Sequence, residues 1–114
     1  MNRTKTELLV QKHCVTSAGE IQVLPQREAQ IFHQQVQGWT LHHKSLQREF
    51  RFKDFKESMD FVRKVADIAE AEDHHPDISI FFNRVRLQLS THSVGGITEN
   101  DFIVAAKIDY LLKP

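Results

Sequence analysis

The sequence has one cysteine, Cys14, no surplus of either charge sign, and no long apolar run. A single cysteine excludes an internal disulfide, and without a CxxC or Cys/His spacing around it no structural zinc framework can be read. A reducing compartment fits that usage. Fifteen Lys and Arg balance fifteen Asp and Glu, so no net field steers the chain toward nucleic acid or an anionic membrane, and partners must be recognised locally. No apolar stretch approaches the roughly 20 residues that cross a bilayer, and the N-terminus lacks the basic start and apolar run of a signal peptide. The chain is therefore expected in the cytoplasm.

What is present is an ordinary globular composition: 114 residues, 40% hydrophobic and 26% charged, enough for one buried core and too few for two. Residues 1–24 show no sustained period and are expected as a loosely organised lead-in, with a single domain over 25–114. Pro25 suits the first turn of a helix over 26–37, which Gly38 would end. Trp39 and Leu41 alternate with polar positions, as do Leu46, Arg48, Phe50 and Phe52, predicting two strands joined near residues 43–45. Asp54 with Glu57 starts the best-marked helix, carrying Phe55, Met59, Val62, Val65, Ala66 and Ala69, and Pro76 must stop it. A strand over 78–82, a turn at Asn83 and Arg84, and a strand bearing Val85, Leu87 and Leu89 follow. Thr98 with Asp101 then caps a helix reaching about Leu112. The order α-ββ-α-ββ-α predicts an α+β domain: a four-stranded antiparallel sheet with helices on one face.

Three features stand apart from packing: Glu70 and Asp73 leading into His74, His75, Pro76 and Asp77; the run Ser90, Thr91, His92, Ser93; and Gly95 with Gly96 behind it. If the third and fourth strands pair antiparallel, the start of one lies beside the end of the other, so the His74 region approaches His92. Adjacent residues of an extended segment point to opposite sides, which gives His74 and His75 different neighbours. Imidazole gives and takes protons near neutral pH, and carboxylates such as Glu70 and Asp73 can orient it. Such a set suits elimination of water.

The competing readings are weaker. A zinc site would use histidines and carboxylates, but no HxH or HxxxH pair is present and the cysteine is remote. Cys14 beside His13 is an ordinary thiol, since adjacency in sequence does not set an imidazole nitrogen against a sulfur. His13, His33, His42 and His43 are read as surface or structural. The glycine pair lacks the spacing of a phosphate loop and serves a tight turn. Alternating Phe50, Phe52, Phe81 and Phe82 near Arg48, Arg51, Arg84 and Arg86 are explained by a core and a solvated strand face rather than by a nucleic-acid platform.

The run AEAEDHHPD, followed by NRVRLQLSTHSVGGITENDF and AAKID, resembles the pterin-4a-carbinolamine dehydratase family. The resemblance covers roughly residues 24–112 and includes Gly38-Trp39, the REFRFKDF passage, the HHPD turn and THS before GGIT. It implies an α+β domain assembling into homodimers or homotetramers, with no metal and no organic cofactor. The activity implied is a hydro-lyase one in tetrahydrobiopterin recycling: a 4a-hydroxytetrahydropterin loses water to give quinonoid dihydropterin. The substrate would come from a pterin-dependent hydroxylase.

By the same resemblance His74, His75 and His92 form the active site. His74 and His92 take the acid and base roles, in an order the sequence leaves open, because the C4a hydroxyl needs a proton while a ring nitrogen loses one. His75 orients the pterin, Glu70 and Asp73 position imidazoles, and Pro76, Thr91, Ser93 and the backbone at Val94 complete the pocket. Two positions depart from the family's habit: Ile78 where an aromatic is common, and Asn100 where a basic residue is common. Both predict altered affinity rather than lost chemistry. Some animal members bind a homeodomain transcription factor, so a non-catalytic dimerisation or coactivator-type role is the alternative, and a scaffold for a pathway enzyme a third.

Overall fold

A computed structural model describes residues 8–113 other than His43, and residues 1–7 and 114 lie outside it. Its elements are α1 (Gln26–His33), β1 (Thr40–Leu41), β2 (Leu46–Arg51), α2 (Phe55–Glu72), β3 (Asp77–Phe81), β4 (Arg84–Leu89) and α3 (Glu99–Tyr110). The α-ββ-α-ββ-α order is the expected one. All strands run antiparallel in the order β1-β2-β4-β3, so β2 and β4 are central and β3 is an edge.

Alternation decides which face is covered. Leu46 and Phe50 on β2 and Val85, Leu87 and Leu89 on β4 are buried, while Glu49, Arg51 and Arg86 between them are exposed. Helices α2 and α3 lie against the apolar face. Helix α2 buries Ser58, Phe61, Val65, Ala69 and Glu72, a stripe at helical spacing. Helix α3 is buried without interruption from Asn100 to Ala106 because α1, α2, β2 and the N-terminal segment pack around it. Its start carries a reciprocal capping box between Thr98 and Asp101, and Asp54 caps α2 by accepting from the Glu57 N–H.

Three boundaries move. Helix α1 stops at His33, four residues short of the expected Gln37, because successive i to i−3 bonds (Val36 N–H to His33 O, Trp39 N–H to Val36 O) tighten the chain and turn Val36 and Trp39 into the core. The β3–β4 turn is Phe82–Asn83, not Asn83–Arg84, and Phe82 takes a left-handed φ of 53°. Helix α3 ends at Tyr110 rather than Leu112.

The lead-in has little regular structure, two single 3-10 turns at Leu9–Gln11 and Ala18–Glu20, yet the first of these turns is fastened down. Leu9 is fully buried in the core, and the Leu9–Gln11 turn packs on α3.

Candidate active site

The HHPD segment leaves α2 abruptly. Asp73 adopts the left-handed conformation (φ 52°) as the C-cap, and both its N–H and that of His74 bond back to Ala69 O. Pro76 then forbids helical geometry at His75, so residues 74–76 run extended into β3. The two imidazoles diverge, as the extended geometry predicts.

His74 turns inward. Its Nε2 lies 2.6 Å from Oδ1 of Asp101, whose side chain is 0% exposed. A carboxylate only accepts, so the hydrogen sits on Nε2 and Nδ1 is left as the nitrogen that can exchange a proton. Oδ2 of the same carboxylate accepts from the Thr98 N–H at 2.9 Å and from the Thr91 hydroxyl at 2.9 Å, and the Thr98 hydroxyl lies 2.8 Å from that of Thr91. One buried acid thus caps α3, orients an imidazole and holds a threonine of the THS motif. His75 turns outward, and its Nε2–H donates to Glu70 Oε2 at 2.6 Å across an exposed face.

His92 opens the 3-10 turn His92–Val94, part of a loop closed by the Thr91–Gly96 bridge and by Gly95 at φ 71°. The positive φ favours glycine there. A cavity of about 280 Å³ lies beside this loop, lined by Lys44, Ser45, Gln88, Ser90, Thr91, His92, Gly95 and Gly96. That is near the lower end, roughly 300 Å³, of small-molecule sites. Thr91 belongs to both features, walling the cavity and donating to the acid that holds His74. The β3–β4 register, Asp77 opposite Gln88, is what brings the HHPD end beside the THS end.

The residues named from sequence therefore fall into groups. Asp101 ties His74 to Thr91, and Thr91 shares a cavity wall with His92. His75 and Glu70 form a separate exposed pair. Asp73 serves as the helix cap and has no side-chain partner among the described residues. Ser93 and Val94 lie on the His92 turn but outside that cavity's lining, and Pro76 is half-buried.

Sequence reasoning saw Asp101 only as a cap, although T-x-x-D before an apolar helix was its signal. It missed Lys44, Ser45 and Gln88, which reach the cavity because β2 pairs with β4, Leu46 opposite Leu89. Of the other histidines, the Nε2–H of His33 donates to Trp39 O at 2.6 Å, and Nδ1 of His13 bonds Glu72 at 2.9 Å. His43 lies outside the described residues.

Nearby electrostatics separate structural groups from chemical ones. Burial, reinforced by Glu72, pushes the Cys14 thiol up to about 12, so it stays protonated at neutral pH and is no nucleophile. Burial also pushes Glu72 upward, but the Cys14 N–H, His13 and Lys107 outweigh it and hold the carboxyl below its ordinary range. Asp109 goes the other way: its burial raises it despite the Trp39 and Arg48 donors, each at 2.8 Å from Oδ1.

The fold and site define an α+β domain with a buried Asp–His pair beside a small cavity that His92 and Thr91 line. Comparison sharpens the class: the profile described as pterin 4 alpha carbinolamine dehydratase matches residues 22–111. A Nitrosospira multiformis relative whose name refers to that dehydratase is 41% identical over 110 residues, 96% of this chain and 97% of its own. "Pterin-4-alpha-carbinolamine dehydratase 2, mitochondrial" of Arabidopsis thaliana is 43% identical over 106 residues, 88% of this chain and 57% of that protein. The crystal structure of a transcriptional coactivator/pterin dehydratase from Brucella melitensis superposes with a TM-score of 0.76 at 33% identity, covering 81% of this chain and all of that one. The chain belongs to the pterin 4 alpha carbinolamine dehydratase family, a family of hydro-lyases.

Proposed function

We propose that the protein removes water from a 4a-hydroxytetrahydropterin by histidine acid/base catalysis, yielding a quinonoid dihydropterin. The observation that carries this reading is the Asp101 carboxylate, fully buried and bonded at once to His74 and to Thr91 of the His92 cavity. In the reaction the C4a–O bond breaks, a ring N–H loses its proton, a C=N bond forms and water leaves. Protonation of the departing oxygen and deprotonation of the nitrogen are both within the range of imidazole, and neither requires a metal or organic cofactor. His74, presenting Nδ1, and His92, at the cavity edge, take the two proton-transfer roles. His75, held by Glu70, orients the ring system, with Asp73, Pro76, Thr91, Ser93 and Val94 around it.

The substrate class makes a pterin-dependent hydroxylase the supplier of the carbinolamine. No helix among the described residues is long and apolar enough to cross a membrane, and we place the protein in the cytoplasm. We also assign it a homodimer or homotetramer. Ile78 and Ile80 share the helix-side face of the sheet with Leu87 and Val85, yet on the edge strand they stay exposed, as do Phe82 and Phe55.

The test is stopped-flow absorbance of a synthetic carbinolamine with purified protein. Acceleration that falls by about 10²-fold or more in His74→Ala and in His92→Ala, with the far-UV spectrum intact, is the expected result. Unchanged rates in both variants overturn it. The Brucella melitensis protein is called a transcriptional coactivator as well as a pterin dehydratase, which favours a second reading, a binding role; association with a partner that survives both alanine variants, in a protein without dehydratase activity, would favour it.

A further inference from the structure

The family match begins at residue 22, but the segment upstream contacts both helix ends that frame the Asp101–His74 pair. Glu72, 7% exposed, is the last residue of α2 and stands two positions before His74. Its carboxylate accepts from the Cys14 N–H at 2.7 Å and bonds His13 Nδ1 at 2.9 Å, with the Lys107 ammonium 3.5 Å away. Asn100, 4% exposed, immediately precedes Asp101. Its amide pairs with both backbone groups of Val15, accepting from the N–H at 3.0 Å and donating to the C=O at 2.8 Å. Lys107 donates to Val10 O at 3.0 Å, Lys12 pairs with Glu99, and Leu9 is seated in the core.

We propose that residues 9–15 act as a strap that sets the spacing between the end of α2 and the start of α3, making Glu72 and Asn100 positioning residues for the His74–Asp101 pair. This rests on the dehydratase reading given above. A buried carboxylate with two hydrogen-bond partners and an ammonium at 3.5 Å, and a buried amide making two opposed bonds, each have one low-energy position, since moving either strands a polar group away from water. Both are anchored to adjacent strap residues, Cys14 and Val15, so the strap ties position 72 to position 100. Position 74 is thereby held against position 101 at hydrogen-bond distance. The Asn100 departure from the family's basic residue acquires a structural role: a lysine or arginine has no acceptor for the Val15 N–H.

The experiment is a double-mutant cycle in the full-length chain. Asn100→Ala removes both Val15 bonds while leaving Asp101 its own partners. A loss of about tenfold in kcat with KM within about twofold is expected, the size of a small misplacement of a catalytic group. In a His74→Ala background the same substitution is expected to lower kcat no further, because the group it positions is gone. Glu72→Gln, which can keep an acceptor for Cys14 N–H, is expected to fall between wild type and Glu72→Ala. An equal loss in both backgrounds, or unchanged kcat in folded Asn100→Ala, overturns the proposal. Should Asn100→Ala not fold, solvent exchange of the His74 Nε2–H, read by NMR in Glu72→Gln, decides: exchange faster by about tenfold supports the strap and an unchanged rate overturns it. That NMR readout needs no turnover, so a protein without dehydratase activity sinks the functional reading and leaves the strap independently testable.

Discussion

His74 and His75 are neighbours in sequence, each with its Nε2 2.6 Å from a carboxylate oxygen, and there the likeness ends. The partner of His74 is 0% exposed and fixed by two further donors; the partner of His75 is 78% exposed and sits alone on the helix surface. The difference teaches that bond length does not rank such pairs. What ranks them is whether the acid is itself held, because a carboxylate free to rotate in water fixes an imidazole only loosely and does not leave it unsatisfied when removed.

The strongest way to break this comparison is at Asp101. Replacing it with Ala removes the Asp101 half of the capping box at the start of α3 and leaves the buried Thr98 N–H and the His74 Nε2–H without their acceptor, at about 1–3 kcal/mol for each group so left. A total near 3 kcal/mol is expected in urea unfolding. Asp101→Asn keeps the shape but sets an amide where an all-acceptor group is needed, and a fall in kcat of about 10²-fold or more is expected.

Next come the histidines themselves. His74→Ala leaves one Asp101 oxygen unpaired in a buried site, so a loss of about 1–2 kcal/mol accompanies the loss of activity. His75→Ala is expected within about 0.5 kcal/mol of wild type, as for an ordinary surface position, with a smaller effect on rate than His74→Ala. Equal destabilisation by the two would show that burial of the acid does not matter.

How far the sequence could be read follows the same line. Alternation in β2 and β4, the Asp54 and Thr98 caps and the Pro76 stop are local signals, and the element order follows from them. The HHP and THS motifs gave the histidines. Asp101 was visible as a cap but not as the partner of His74, because a helix cap and a histidine 27 positions away meet only once β3 lies beside β4. Lys44, Ser45 and Gln88 were invisible without the order β1-β2-β4-β3. The strap was missed because residues 9–15 have no period; they are held by side chains of other elements, Glu72, Asn100 and Lys107.

Acid pH sharpens the comparison from the His74 side. Glu72 has a folded-state pKa below its unfolded value near 4.3. Its contribution to stability is therefore complete above about pH 4.3 and is lost as pH falls through the lower, folded value. Glu72→Gln is expected to show a shallower decline of stability with pH in that acid window than wild type, by chemical denaturation at a series of pH values. Parallel curves would mean the carboxylate contributes nothing there.

The smallest effect should come from Glu70, and its smallness is informative. The Glu70 and His75 side chains are 78% and 52% exposed, where an ion pair is worth about 0–1 kcal/mol and salt screens it. Glu70→Ala should move the unfolding midpoint by no more than about 0.5 kcal/mol, and added salt should erase even that. If His75 matters to turnover only by orienting the ring system, this variant raises KM more than it lowers kcat. A kcat loss matching that of Asp101→Asn would place His75 and Glu70, not His74 and Asp101, at the centre of proton transfer, and would invert the ranking drawn from burial.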